Sequence, residues 1–490
     1  MSLVADAIET LRTAQPVAVT GRVAAVRGMT VLVRDLPAPV GALVEIGRDE
    51  PTPAEVVGFT DDLAILMPLG ATVGVQRGDP ARVRRVSRIT PVGDALVGRI
   101  VDALGRPLDD HPVARGLSSR PLVPPPVSAL KRPPIDKPLR TGVRAIDLMM
   151  PLGLGQRLGV FAGPGVGKST LLGTIARHSS AEINVIALIG ERGREVREFV
   201  ERVLGAEGLA RSVVVVATGD ESPLMRVRAA LAATSIAEHF RDRGRRVLLM
   251  MDSVTRFAHA QRQIGLSAGE PPATKGYTPG VFASLALLLE RAGIVERSDA
   301  ATERRSDEGD VSNVKAGRPV ESSSLAPPHR APPSLRRSVA PSLSGSITAL
   351  YTILVEGDDM TEPIADAARG ILDGHAILSR RLAQRSHYPA IDVLDSVSRV
   401  ADEVSDAAHT AARRQIARLL ALYREVEDLV QIGAYARGSN AETDVAIELR
   451  APIEELLRQG PGESEPFEAS RSRLIALAVK AGEEIAGRKK

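Results

Sequence analysis

The segment Gly163–Thr170 constrains the fold more than any other part of the chain. It reads GPGVGKST, follows the apolar run LGVF and precedes LLGTIARH, which is helical in character. Glycines let backbone N–H groups close around phosphate oxygens, and a following helix points its positive end at them. This order predicts a phosphate-binding loop in an α/β domain. The predicted nucleotide-binding residues are Gly163, Pro164, Gly165, Val166, Gly167, Lys168, Ser169 and Thr170.

Three polar side chains in and after this loop have the chemistry of a nucleotide–metal site. Lys168 is predicted to offset charge on the β- and γ-phosphates, and Ser169, directly after it, to bind Mg²⁺. Asp252 ends the apolar strand RVLLMMD, where a carboxylate holds Mg²⁺ through water. A nucleoside triphosphate and Mg²⁺ are therefore the expected ligands.

A charged loop follows the apolar run NVIALIG. It reads ERGRE and contains Glu191 and Glu195. A carboxylate at a strand end can polarise a water molecule that attacks a phosphate. Residue chemistry alone leaves either glutamate, or simply a solvated loop, as the interpretation.

Apolar patterning divides the chain into four regions and predicts a multidomain α/β fold. Residues 17–90 alternate short apolar runs with Gly, Asp and Pro, which predicts a small β-barrel. Residues 91–138 hold a strand-like run, ALVGRIVDALGRPLD, and then a Pro-rich stretch, and are predicted to be a connector. Residues 139–400 alternate apolar strands with helices, which predicts a parallel sheet covered on both faces, and 401–490 are predicted to be helical.

Two segments stand apart from this scheme. The apolar residues of 3–14 have helical spacing, so 1–16 is predicted to hold a helix that packs on its own domain or docks a partner. Residues 298–344 are rich in Ser, Pro and Arg and are predicted to be a disordered insert. That insert is a tolerated surface loop, a gene-prediction artefact or a regulatory segment.

Composition argues against several classes of protein. The net charge is only +3 and aromatic residues make up 2% of the chain, which disfavours a dedicated nucleic-acid binder. Cysteine is absent, which excludes disulfides and thiolate metal sites. No apolar run is long enough for a membrane-spanning helix, and no secretory signal is evident, so a cytoplasmic location is expected.

Seven motifs in one order resemble the flagellar and injectisome export ATPases, which are similar to the catalytic subunit of rotary ATP synthases. They are GPGVGKST, IGERGREVREF, LLMMDSVTRFA, PPATKGYTPGVF, LVEGDDMTEPIAD, ILDGHAILSRRLA and HYPAIDVLDSVSRV. The resemblance implies an N-terminal β-barrel, a central RecA-like ATPase domain and a C-terminal helical domain, assembled as a homohexamer that binds ATP and Mg²⁺. The insert is a departure, because the family pattern runs almost directly from LLERAG to GSITALYT.

The resemblance also implies roles for five residues. Glu191 matches the catalytic carboxylate, and Arg192 matches a basic position near the phosphates. Arg256 matches an arginine on the γ-phosphate side, and Tyr388 matches the aromatic residue that stacks on adenine. Arg399 matches an arginine finger that acts across the subunit interface.

The function implied is ATP hydrolysis that energises export of flagellar proteins. The expected partners are components of the export apparatus, including a stator-like regulator at the N-terminal helix, and export substrates or chaperones, with peripheral association at the inner face of the membrane. No nucleic-acid partner is expected. An injectisome ATPase is the main alternative; a rotary ATP synthase subunit, an RNA translocase and a pure scaffold are the others.

Overall fold

The computed structural model describes residues 18–86, 88–295, 345–355 and 359–488. The predicted helix at 1–16 and the predicted insert at 298–344 lie outside these residues. The described chain forms a β-barrel, an α/β domain and a helical domain in that order, so the predicted fold class is confirmed.

The first unit is a closed barrel of six short strands. They are β1 (Thr20–Arg27), β2 (Thr30–Arg34), β3 (Leu43–Ile46), β4 (Thr52–Phe59), β5 (Leu63–Pro68) and β6 (Pro80–Arg85). Their order around the barrel is β1-β2-β5-β4-β3-β6, and the pairs are antiparallel. Val31, Val33 and Leu66 are completely buried in its core, as alternating apolar strand residues require.

The second unit is built on a nine-stranded sheet. Its strands are β8 (Ile100–Asp102), β12 (Arg157–Ala162), β13 (Ile183–Ile189), β14 (Ser212–Ala217), β15 (Arg246–Asp252), β16 (Gly293–Val295), β17 (Gly345–Leu354), β18 (Gly374–Leu378) and β19 (Ile391–Ser398). The order is β19-β18-β12-β17-β15-β13-β14-β8, with β16 paired to β17, and the run from β18 to β8 is parallel. Buried apolar clusters cover both faces, which explains strands as apolar as SVVVVA.

Helices connect these strands and cover the sheet. They are α1 (Arg144–Met149), α2 (Lys168–His178), α3 (Gly193–Glu198), α4 (Gly205–Ala210), α5 (Pro223–Arg241), α6 (Val254–Ser267), α7 (Pro279–Leu289), α8 (Pro363–Ile371) and α9 (Arg380–Gln384). A π-helical turn, Phe199–Leu204, joins α3 to α4. Two short strands, β10 (Pro138–Leu139) and β11 (Leu152–Gly153), pair with each other beside α1.

The segment 91–138, predicted to be a connector, also contributes to the central sheet. β7 (Ile89–Val92) and β9 (Ser118–Pro121) form an antiparallel ribbon. Between them, β8 runs parallel to β14 and becomes the edge strand of the nine-stranded sheet. The segment is therefore more than a linker: β8 lies within the strand-like run ALVGRIVDALGRPLD, although that run did not indicate which sheet the strand would join.

The third unit consists of three long helices. They are α10 (Ala407–Gln431), α11 (Ala441–Leu457) and α12 (Phe467–Arg488). Asp406 and Asn440 cap the first two, each accepting a hydrogen bond from a backbone N–H of the first turn. Their buried apolar residues belong to the same cluster as Leu171 and Leu172 of α2. Within the described ranges, no helix combines the length and apolarity that crossing a membrane requires.

Candidate active site

The carboxyl ends of four neighbouring parallel strands meet at one edge of the sheet. β12 leads into the phosphate-binding loop, β15 ends at Asp252, β13 leads to Glu191, and β17 carries Thr352 near its end. The register pairs Leu188 with Asp252, and Glu191 follows Leu188 by three residues. Asp252 and Glu191 therefore lie close together. Ligands bind beyond the carboxyl ends of the strands in open parallel sheets, so this edge is the candidate active site.

The phosphate-binding loop has the backbone that its glycines predict. Gly165 and Gly167 have φ values of 78° and 88°, in the left-handed region, and α2 begins at Lys168 directly afterwards. Counted back from Lys168, the first position of the G-x-x-x-x-G-K-[ST] pattern falls on Ala162 rather than Gly163. The motif therefore starts one residue earlier than predicted, at the last residue of β12, and alanine replaces its first glycine.

Lys168 lies between the two acids at the strand ends. Its Nζ is 2.6 Å from Oδ1 of Asp252 and 3.5 Å from Oε1 of Glu191. Burial acts to lower the pKa of Lys168, but the charges of Asp252 and Glu191 outweigh it, and the pKa is raised. The ammonium group is therefore fully charged where phosphates would lie.

Thr352 is a site residue that the sequence analysis missed. Its hydroxyl donates to Oδ1 of Asp252 at 2.7 Å and is itself completely buried. Such a contact orients a carboxylate that would otherwise rotate. Thr352 lies in the apolar strand SITALYTIL with no motif around it, so only the pairing of β15 with β17 reveals it.

A small cleft of about 70 Å³ lies beside the acids. Ser169, Glu191, Glu195 and Asp252 contribute to its lining. A hydroxyl and carboxylates are the ligand types that Mg²⁺ accepts when phosphate oxygens and water complete its shell, so these residues fit the ion. In the described part of the chain no cluster of three or more His, Cys, Asp or Glu has the geometry of a self-sufficient metal site.

Glu191 and Glu195 share a hydrogen bond and have opposite shifts in pKa. Burial raises the pKa of Glu191 to about 7; Lys168 opposes this shift, while Asp252 and Glu195 add to it. The hydrogen bond from Glu191 lowers the pKa of Glu195. Below about pH 7 the proton therefore resides on Glu191, and Glu195 accepts a hydrogen bond from it.

A larger cavity, of about 820 Å³, opens on the other side of the phosphate-binding loop. The ring of Tyr388 lies against this loop, because a Cβ added to Gly167 would be only 3.4 Å from the ring. Val166, Leu171 and Leu378 make part of the wall apolar. A flat heterocycle such as a nucleobase fits this combination of an aromatic face and apolar walls.

The C-terminal domain completes that cavity through the loop 458–461, which the sequence analysis missed. Gln459 donates from its backbone N–H to the carbonyl of Tyr388 at 2.8 Å, and its side chain donates to the carbonyl of Gly142 at 2.9 Å. The carbonyl of Pro461 accepts from Arg177 of α2 at 2.9 Å. The only sequence signal was the helix-breaking QGPGE between two helical stretches.

The two arginines predicted near the phosphates lie in different environments. Arg256 packs against Gly190, where an added Cβ would be 3.0 Å from its own Cβ, and its Nε is buried without a hydrogen-bond partner in the described chain. Arg192 has 85% of its side chain exposed and pairs with Glu195 at 3.6 Å. Arg256 is thus beside the strand that leads to Glu191, whereas Arg192 points to solvent.

Arg399 lies far from the phosphate-binding loop of its own chain. β19 is antiparallel to β18, so Ile391 is at the end of the sheet near the loop and Ser398 is at the opposite end. Eight residues of strand span about 23 Å. Arg399 is exposed there, beyond the reach of its own nucleotide site.

Comparisons with known families agree with this geometry. Residues 142–315 and 332–398 match the ATP synthase alpha/beta family, nucleotide-binding domain, and residues 405–476 match the T3SS EscN ATPase C-terminal domain. The break in the first match, at 316–331, lies inside the segment 298–344.

Similar proteins extend over nearly the whole chain. A flagellum-specific ATP synthase of Treponema pallidum is 47% identical, covering 96% of both chains, and a type 3 secretion system ATPase of Xanthomonas euvesicatoria is 46% identical, covering 93% of both. The structure of the assembled ATPase EscN from the enteropathogenic E. coli type III secretion system matches with a TM-score of 0.80. It is 40% identical and covers 94% of this chain and 100% of EscN.

Proposed function

The chain belongs to the ATP synthase alpha/beta family, in the group of flagellar and type III secretion ATPases, and we propose from that premise that it energises flagellar protein export as a homohexamer. It is an ATPase that converts ATP and water to ADP and phosphate. The group formed by Lys168, Asp252 and Glu191 at the end of the sheet supports ATP hydrolysis, and the flagellar role is proposed from the relatives.

Each member of this group has a separate task during hydrolysis. The backbone N–H groups of the phosphate-binding loop and Lys168 bind the β- and γ-phosphates. Ser169 and Asp252, with Asp252 oriented by Thr352, would hold Mg²⁺. When bound, this ion offsets phosphate charge and polarises the γ-phosphoryl group. Glu191, once deprotonated, orients the attacking water and accepts its hydrogen bond.

Tyr388 and the loop 458–461 would bind the adenine base. The ring of Tyr388 offers a stacking face, and the 820 Å³ cavity has room for base and ribose. Arg256 would approach the γ-phosphate from the side of Gly190, because its Nε is buried and has no hydrogen-bond partner among the described residues.

The position of Arg399 supports a ring in which neighbouring subunits complete each other's sites. It is exposed at the end of β19 opposite its own phosphate-binding loop, so a nucleotide that it contacts belongs to another copy. An arginine finger supplied in this way stabilises charge in the transition state. The assembled state of the similar EscN is consistent with this arrangement.

Partners beyond the ring are proposed from the relatives. EscN also matches in complex with its central stalk EscO, with a TM-score of 0.78, and we propose an equivalent stalk protein here. A stator-like regulator at the N-terminal helix, export substrates or their chaperones are the further proposed partners. The ring would work in the cytoplasm, peripherally attached at the inner face of the membrane.

Flagellar and injectisome functions are distinguished by a genetic experiment. Deletion of the gene should abolish motility and the release of flagellin into the medium, and the wild-type gene should restore both. The Glu191→Gln variant, expressed at equal level, should restore neither. Normal motility after deletion, with loss of secreted effector proteins, would assign the chain to an injectisome, which relatives of nearly equal identity also support.

A further inference from the structure

The turn that carries Arg399 is attached to the first residue of β12, the strand that leads into the phosphate-binding loop. The backbone N–H of Arg399 donates to the carbonyl of Asp373 at 3.0 Å, and the backbone N–H of Asp373 donates to the carbonyl of Arg157 at 2.9 Å. Arg157 begins β12, whereas Asp373 directly precedes β18. Backbone hydrogen bonds thus link Arg399 to Asp373 and Asp373 to Arg157, at the end of the sheet opposite the nucleotide site.

A bidentate ion pair between Arg157 and Asp373 reinforces this junction. Nε and Nη2 of Arg157 donate to the two carboxylate oxygens of Asp373 at 2.9 Å and 3.0 Å, and its backbone N–H donates to the same carboxylate at 3.1 Å. Burial acts to lower the pKa of Arg157, but Asp373 and Glu290 outweigh it and raise it. Because a bidentate pair fixes orientation as well as distance, Asp373 has little freedom to move.

Side-chain hydrogen bonds also fix the position of the residues just before Arg399. The side-chain amide of Gln156 donates both to the carbonyl of Asp373 and to Oγ of Ser398, each at 3.0 Å. The Ser398 hydroxyl donates to the carbonyl of Pro151 at 2.8 Å. Because Gly374 has no side chain, β19 packs closely against β18: a Cβ at Gly374 would be 2.3 Å from the carbonyl of Val397. The backbone that leads to Arg399 is therefore ordered, although its own side chain is exposed.

We propose that Arg157 and Asp373 are positioning residues for Arg399, holding its backbone so that the guanidinium group reaches the nucleotide of the neighbouring copy. This inference rests on the proposed action of Arg399 across the interface. A misplacement of about 1 Å can cost up to roughly 100-fold in rate. An arginine at the end of an edge strand needs such an anchor, and the ion pair supplies it without touching either nucleotide.

The first test separates turnover from nucleotide binding. Asp373→Asn keeps the shape but loses the charge and one acceptor of the ion pair, so kcat should fall about 10- to 100-fold. The KM for ATP and the affinity for a fluorescent nucleotide should stay within about twofold, because the chain's own site is intact. Glu290→Gln is the matched control: Glu290 binds Nη1 of the same Arg157 at 2.6 Å, whereas Asp373 binds Nε and Nη2. The Asp373 contacts remain in this variant, so its kcat should be unchanged.

The second test determines whether Asp373→Asn impairs the nucleotide site of its own subunit or that of the neighbouring subunit. Rings mixed from Asp373→Asn and Lys168→Ala subunits contain interfaces with an intact loop on one side and an intact Arg399 turn on the other, so activity should recover above that of either parent. Rings mixed from Arg399→Ala and Lys168→Ala subunits are the reference. If Asp373→Asn protein does not fold, Ser398→Ala replaces it, since it removes only one hydroxyl of the same junction.

The outcomes are distinct. Recovery in both mixtures supports the positioning role. Recovery in the reference alone overturns it while leaving the proposed interface role of Arg399 intact, because the Asp373 defect then lies within its own subunit. No recovery in either mixture overturns both. An unchanged kcat for Asp373→Asn, beside an inactive Arg399→Ala, also overturns the positioning role.

Discussion

The Nζ atom of Lys168 lies 2.6 Å from Oδ1 of Asp252, and both side chains are largely buried. The lysine that would bind phosphate and the carboxylate that would hold Mg²⁺ therefore neutralise each other before any nucleotide is present. Removal of either residue would leave the other buried without its partner, which lowers the free energy of unfolding by about 3–5 kcal/mol. ATP with its metal would supply new partners to both, so binding exchanges one set of charge contacts for another.

The Lys168→Ala variant should lose ATP hydrolysis and about 3 kcal/mol of unfolding free energy, because Asp252 is left buried without its cation. Phosphate release and urea unfolding measure the two effects. The double variant Lys168→Ala, Asp252→Asn should recover most of the stability and none of the activity. Equal stability of wild type and single variant would show that Asp252 is hydrated once Lys168 is removed.

Thr352→Val should reduce turnover about 10- to 100-fold, because it removes the hydroxyl that orients Asp252. The loss should be partly reversed at high Mg²⁺ concentration, which a Mg²⁺ titration of the ATPase rate would show. Thr352→Ser, which keeps the hydroxyl, is the control and should be close to wild type. A Thr352→Val loss that no Mg²⁺ concentration relieves would argue against a role through the metal ligand.

The raised pKa of Glu191 predicts the pH dependence of catalysis. Since water is polarised by the carboxylate, and burial raises this pKa to about 7 in the free protein, kcat/KM should rise with pH and level off above about 7. Glu191→Gln should bind ATP and lose turnover at every pH. A profile flat from pH 5 to 8 in the wild type would contradict the assignment.

Glu195→Gln separates the two glutamates of that loop. Glu195 contributes to raising the pKa of Glu191, so its neutralisation should shift the acidic limb of kcat/KM to lower pH and leave the enzyme active. If this variant were dead while Glu191→Gln retained turnover, Glu195 would be the water-polarising acid.

The parts of the site that lie in contiguous motifs could be predicted from the sequence. Gly167 and Lys168 are read from one loop, and Asp252 from one strand end, because each motif carries its own structural context. Thr352 gave no such signal and Gln459 only that of a helix break, since they act through strand order and domain packing. Long-range pairing decides these contacts, and a single sequence does not record it.

The same distinction explains the differences among the arginines. Family resemblance assigned Arg192 to the phosphates, yet its side chain is exposed and pairs with Glu195, because local loop geometry decides where a side chain points. Arg399 was expected to act on a neighbour, and the antiparallel direction of β19 gives a physical reason why its own site is out of reach. That direction follows from sheet topology, which motif spacing does not contain.

The two strands that flank the segment 298–344 show where the chain could be rejoined if this segment were deleted. β16 pairs antiparallel with β17, and Val295 is directly opposite Gly345. The chain therefore leaves and re-enters the sheet at adjacent positions. Deletion of 298–344 would keep Glu296 and Arg297 as a two-residue connection, which is the length of a tight β-hairpin.

We predict that this deletion leaves ATPase activity within about twofold, because loop closure costs only about 0.6 kcal/mol per doubling of loop length. A two-residue hairpin needs positive φ at one or both loop residues, so the deletion that also carries Glu296→Asn and Arg297→Gly should melt higher than the deletion alone. Gly345→Ala, made in both full-length and deleted chains, checks the register. A Cβ there would be 1.9 Å from the carbonyl of Arg241, and equal destabilisation in both chains means that the new hairpin preserves the native pairing. A deletion variant that folds with this register but loses ATPase activity or its regulation would make the segment a functional element, since the loss could then not be attributed to the sheet.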